Sequence, residues 1–233
     1  MVESGTQSEV AYEPDEEFRV VALARSFNGR HRSADAGLAI ALTPLTTMTL
    51  GLTREQQRFA LSPDRNSSSW RVAPTFTFSP AGLLTGVASI GYRRFEPVSP
   101  AVPSFAGLYS NVAIGATIYG RHHMLAGVTR DVQYSYDLGS TYYLSTGGTI
   151  TWTWLLAGPV DVRGTAARQH MDYRQAQAPD TLISYGGGAG YRFSNRARFG
   201  INVLWQRRDS EISADRAFRN HRIFAGLSWG STL

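Results

Sequence analysis

The chain has 233 residues, enough for one large all-β domain or two small ones. Mean hydropathy is -0.21 and no stretch offers about 18 consecutive apolar residues, which excludes a transmembrane helix but not a membrane barrel, where only alternate residues need be apolar. The formal net charge is +5, with a pI near 9.7, and the arginines that supply it are scattered, which argues against a dedicated nucleic-acid patch. Cysteine is absent, so no thiolate is available for a structural metal site.

Met1-Val2-Glu3-Ser4-Gly5 has no basic region followed by an apolar run and does not read as a signal peptide. Residues 1–16 are polar and acidic, and predict a flexible periplasmic N-terminal arm or a plug strand. Residues 17–233 read as a single β domain. Alternation and breakers predict about twelve strands, over 17–26, 33–42, 46–59, 69–79, 83–95, 107–118, 123–136, 141–155, 160–174, 181–193, 197–210 and 219–229.

The connectors alternate in length. Thr43-Pro44-Leu45, Ser79–Gly82, Gly120–His122, Ala157–Pro159 and Ser194–Arg196 are short. Asn28–Arg32, Ala60–Ser68, Glu96–Ala106, Asp137–Ser140, Gln175–Asp180 and Ile212–Ala217 are longer and polar. Tight turns at one end and longer loops at the other are the pattern of an outer-membrane barrel.

The faces follow from parity. Aromatics near the short-turn ends are Phe76, Phe78, Trp152, Trp154, Tyr191, Phe193 and Phe199. Near the long-loop ends they are Trp70, Tyr92, Tyr134, Tyr142, Tyr185 and Trp205. They share parity with the apolar residues between them and predict two lipid-interface girdles, which Trp229 joins from the last strand. Roughly eight to twelve residues separate the clusters, spanning about 20–28 Å at a strand tilt near 45°. The opposite parity carries Arg71, Asn111, Asp131, Gln133, Asp161, Arg163, Arg198 and Asn202, which predicts a polar, charged lumen. In the last strand Ile223, Ala225, Leu227 and Trp229 form the outward set.

Catalytic and metal chemistry find little support. His31 and Ser33 share a strand face but sit in a loop entry, where solvated His and Ser are common, and His170 and Asp172 share a face near an outer rim, where they read as a rim hydrogen bond. His122 and His123 are adjacent, so they point to opposite sides and chelate poorly. No catalytic residue, metal or cofactor is expected. Lumen charges that pair would plug the barrel; unpaired ones would line a narrow pore.

Thr43-Pro44-Leu45-Thr46-Thr47, Gly91-Tyr92-Arg93-Arg94-Phe95, Arg130–Tyr136 and Ser184–Gly188 together resemble the putative β-barrel porin 2 family of Gram-negative bacteria. The resemblance covers most of residues 17–229. It implies an outer-membrane location, sometimes an association with polysaccharide export, and no catalytic residues. The chain is thus expected to be a closed antiparallel up-and-down transmembrane β-barrel, with both termini on the periplasmic side. Its expected role is a narrow porin-like channel or a structural, export-associated barrel. Expected partners are outer-membrane lipid and lipopolysaccharide, the barrel-assembly machinery and small solutes or polysaccharide, with no nucleic acid. A lipid-modifying barrel enzyme and a soluble β-sandwich binding module are the alternatives.

Overall fold

A computed structural model describes residues 2–13, 17–18, 21–22, 28–135, 139–156, 158–176, 178–194 and 196–230. The strands are β1 (Val2–Val10), β2 (Glu17–Phe18), β3 (Val21–Ala22), β4 (Gly29–Thr43), β5 (Thr46–Phe59), β6 (Ser67–Phe78) and β7 (Leu84–Pro97). They continue as β8 (Phe105–Ile118), β9 (His122–Tyr134), β10 (Tyr142–Leu155), β11 (Val160–Tyr173), β12 (Ala178–Ser194), β13 (Ala197–Ser210) and β14 (Phe218–Trp229). Twelve of them form one antiparallel sheet in the order β1-β4-β5 and onward to β14, each strand beside the next. β2 and β3 pair only with each other. Two short 3-10 turns, Pro63–Arg65 and Ala214–Arg216, sit in the β5–β6 and β13–β14 loops.

Eleven of the expected strands lie where alternation places them, because each carries an apolar face that fixes its register. The first does not. Within 17–26 only the β2–β3 pair is described, outside the main sheet, and the remainder falls outside the described residues. The twelfth strand is instead β1, within the segment expected to be a flexible arm. Its hydroxyls alternate with Glu3, Gly5, Gln7 and Glu9, so neither face is apolar. Cross-strand bonds hold it to β4: Thr6 to Ser33 at 2.7 Å, and Arg32 Nε donating to Gln7 at 3.0 Å. Val2 pairs with Gly37 and Val10 with Gly29, so β1 covers the long-loop half of β4.

The sheet curls toward one face. On that face side chains reach over an intervening strand: Arg93 of β7 binds Glu55 of β5 and Asp131 of β9, and Arg198 of β13 binds Asp161 of β11. The other face is apolar and exposed, with Leu38, Leu50, Val72, Ile90, Val128, Ile150, Ile201 and Ile223 in view. Among the described residues no second layer covers it. A large uncovered apolar face marks a surface made for something other than water.

Candidate functional site

The inner face carries three ion-paired clusters. The first lies toward the long-loop end of β5–β9. Arg93 donates to Glu55 at 2.5 Å, to Ser69 at 3.0 Å and to Asp131 at 2.7 Å. Arg71 stands 4.0 Å from Asp131, with its guanidinium 4.5 Å above the Tyr109 ring. Thr53 donates to Asp35 at 2.6 Å.

The second cluster lies at the short-turn end. Arg198 grips Asp161 with two hydrogen bonds, at 2.8 and 2.6 Å, and Arg192 stands 3.7 Å away. Asp161 is 1% exposed. Between β13 and β11 the arginine crosses Gly190 of β12. A Cβ at Gly190 would stand 2.2 Å from its Nη2, and one at Gly200 2.7 Å from its Nη1. The glycines of β12 therefore open a lane on the inner face, and Asn202 uses the same lane at Gly188.

The third cluster is near the long-loop end of β12. Asp180, fully buried, pairs with Arg208 and stands 3.3 Å from Arg216. Arg208 also donates to the Tyr173 hydroxyl at 3.2 Å, and Arg216 lies 4.5 Å over that ring. Between the clusters the inner surface is small and hydroxylated. Thr75 and Ser89 are bonded at 3.0 Å, and Thr151 and Thr165 meet at 3.3 Å. A cavity of about 280 Å³ opens there, lined by Thr151, Arg163, Thr165, Asn202, Leu204 and Phe224. Arg163 donates to Thr153 at 3.3 Å and projects into this space.

Residues 26–229 match the family described as Putative beta-barrel porin 2. The chain belongs to that family. No curated protein matches it.

In this porin-family chain the eight residues singled out for the lumen all have inner-face parity in the observed register. The structure brings Arg71 to Asp131 and Arg198 to Asp161; Asn111 and Gln133 stand exposed. Sequence reasoning missed Asp35, Glu55, Arg93, Asp180, Arg192 and Arg208. Arg93 was within reach, because it shares the parity of Val87 on β7. Arg208 was too, sharing that of Arg198 on β13. Asp180 was assigned to a connector, and β12 in fact begins at Ala178.

Trp70, Tyr92, Trp152, Trp154, Tyr185, Tyr191 and Trp229 stand exposed on the outer face, and Phe78 and Trp205 lie half-buried on it. Trp152 and Trp154 stack with His122, at 5.9 and 5.6 Å between ring centroids. Two expected girdle members are corrected. Tyr142 is 0% exposed and donates its hydroxyl to the Pro103 carbonyl at 2.6 Å. Tyr134 meets Phe59 at 5.3 Å and Phe95 at 6.0 Å, and bonds Ser67. Tyr142 is thus buried, and Tyr134 half-buried against the same cluster, rather than exposed on the outer face.

The cause is a split in the sheet. The β8–β9 ladder ends at Ser110 and Arg130, while the β9–β10 ladder continues to Tyr134 and Tyr142. Above the split, the outer-parity residues Val132, Tyr142 and Leu144 pack with Phe95 and Phe105, inner-face residues of β7 and β8, and with Val102 of the loop between those strands. The β9–β10 tip is therefore folded inside the rim. Arg65 ties it down, donating to the carbonyls of Ser135 and Thr141 and resting 5.7 Å from the Phe59 ring. This cluster covers part of the inner face at the long-loop end of the sheet.

The histidine pairs have other partners. His31 bonds Gln57 at 2.8 Å and Ser33 bonds Thr6. His170 bonds Thr181 and Asp172 bonds Arg174. Among the described residues no group of three or more potential ligands could hold a metal ion.

Proposed function

We propose that this chain closes into a narrow outer-membrane channel for small polar solutes, with a preference for anions. The carrying observation is the division of the sheet: an exposed apolar outer face with aromatics, and a concave face of threonine, serine, glycine and paired charges. In hydrocarbon every backbone group needs a partner, so a sheet spanning a bilayer must seal its edges. β1 and β14 are the two edges and run antiparallel to each other, the geometry an up-and-down closure needs. The anion preference rests on Arg163, whose guanidinium faces the 280 Å³ space while the other inner arginines named above contact carboxylates.

A second reading has its own support. The β9–β10 tip across the mouth suits a plugged, structural barrel. One pair of measurements tests both. The chain is refolded in detergent and run on a gel heated and unheated, then inserted in a planar bilayer. A heat-dependent mobility shift with discrete conductance steps supports the channel. The shift without conductance leaves a closed but plugged barrel. Equal mobility and solubility in plain buffer would overturn closure and membrane residence together.

A further inference from the structure

We propose that the outer rim of β4 and β5 at the long-loop end is a binding site for a phosphorylated lipid headgroup. This rests on the reading of the outer face as lipid-facing. All 23 basic residues of the chain are arginines. Outer-face parity on β4 and β5 places Arg30, Arg32, Arg54 and Arg58 together: Arg30 pairs with Arg58, Arg32 with Gln56 and Ala34 with Arg54. Three other outward arginines are matched by acids of their own strand or the turn beside it, whereas Arg130, Arg168 and Arg219 share the outer parity but lie on separate strands rather than as a foursome on one strand pair. Arg94 meets Glu96 at 2.7 Å, Arg207 meets Asp209 at 2.8 Å, and Arg174 meets Asp172 at 3.0 Å. Among the described residues the ion pair recorded for these four rim arginines is that of Arg30 with Glu9, at 3.7 Å. Positive charge is left in excess here.

The geometry is held. Arg58 donates to the Gln57 and Ser67 carbonyls at 2.9 and 2.7 Å, and Gln7 fixes the Arg32 Nε. A cavity of about 530 Å³ lies between them, lined by Glu9, Asn28, Arg30, Arg32, Gln56 and Arg58 among others. Guanidinium forks suit the paired oxygens of a phosphate. Immediately toward the short turns the same faces become apolar, with Leu38, Leu50 and Leu52 exposed and Trp70 beside Arg54. Cations above an apolar slope match a headgroup above its acyl chains, which a free phosphate ion does not need.

The test uses the full refolded chain in maltoside micelles, which carry no phosphate. Native mass spectrometry compares retention of phosphatidic acid with that of diacylglycerol bearing the same chains. The expected result is selective retention of phosphatidic acid, weakened at least about tenfold in Arg32→Gln/Arg54→Gln/Arg58→Gln and unchanged in Arg94→Gln/Arg207→Gln. Retention of both lipids alike, or an unaffected triple variant, overturns the site. So does displacement of the lipid by inorganic phosphate at matching concentration, which identifies a free-ion site. If the triple variant loses its heat-dependent gel shift, Arg30→Gln alone decides, because Arg30 lines the cavity and its ion pair with Glu9 is solvent-exposed on both sides. Solubility of the chain without detergent would instead reject the lipid-facing reading itself, whatever the binding result.

Discussion

Arg198 lies across strand β12 to hold Asp161 on β11 with two hydrogen bonds, and the space it crosses exists because residues 190 and 200 are glycine. An acid 1% exposed must be paired to be tolerated, and here the partner sits two strands away. The pairing cross-braces the short-turn end of the sheet.

Gly190→Ala should therefore destabilise the fold by about 1–3 kcal/mol, because its Cβ drives the guanidinium off the carboxylate or the strands apart. Asp161→Ala should cost more, about 3–5 kcal/mol, since it strands Arg198 and Arg192. Gly164→Ala is the control, with nothing within 4 Å of an added Cβ. Urea midpoints of the vesicle-inserted protein measure all three. Equal midpoints for Gly190→Ala and Gly164→Ala would deny that the glycine lane matters.

Strand β7 offers a test of sidedness. Ile90 faces outward and is 53% exposed, while Val87 has inner parity and is 38% exposed. Ile90→Arg should cost about 2–4 kcal/mol near the bilayer midplane, and Val87→Arg much less. Folding yield into vesicles checks this. Similar losses at both positions would reject the lipid-facing assignment of that face.

What the sequence made legible, and what it hid, follows the same physics. Parity was readable on β6, β7 and β10–β14 because each has one apolar face, and a one-residue slip would turn that face the wrong way. β1 was not readable: Ser4, Thr6 and Ser8 alternate with Glu3, Gly5, Gln7 and Glu9, so no hydrophobic contrast announces a strand. Tyr134 and Tyr142 were misassigned for another reason. Parity tells which side of its own ribbon a side chain takes, but not whether the ribbon leaves the sheet. The departure after Arg130 depends on Phe95, Val102 and Phe105, residues remote in sequence, and local alternation carries no trace of them. The inner-face residues Arg71, Asp131, Asp161 and Arg198 were found by parity, while Arg93 and Glu55 were passed over.

The folded-in tip makes its own prediction. Leu144→Ala should cost about 2–5 kcal/mol by opening a void beside Phe95 and Tyr142. Tyr142→Phe should cost about 0.5–1.5 kcal/mol, through loss of the bond to the Pro103 carbonyl. If the tip narrows the mouth, Leu144→Ala should also raise single-channel conductance, and a conductance equal to wild type would show that the tip does not limit flow.

Arg163 is the residue on which ion preference should turn. It lines the cavity between Thr151, Thr165 and Asn202 from β11, and it donates a hydrogen bond to a neutral hydroxyl, that of Thr153. Asp161, two residues away on the same face, is held closely by Arg198, and Arg163 acts on it only as a more distant charge. A fixed positive charge in a narrow polar passage lowers the barrier for anions and raises it for cations. In a salt gradient the wild-type reversal potential should lie on the chloride side. Arg163→Gln should bring it close to zero and Arg163→Glu should reverse its sign. Each of these exposed substitutions should move stability by no more than about 0.5 kcal/mol. Removing a different charge, Arg71→Gln, should change the potential less, because Arg71 sits by Asp131 and over Tyr109. A reversal potential that ignores Arg163 yet follows Arg71 would move the selective point to the long-loop cluster.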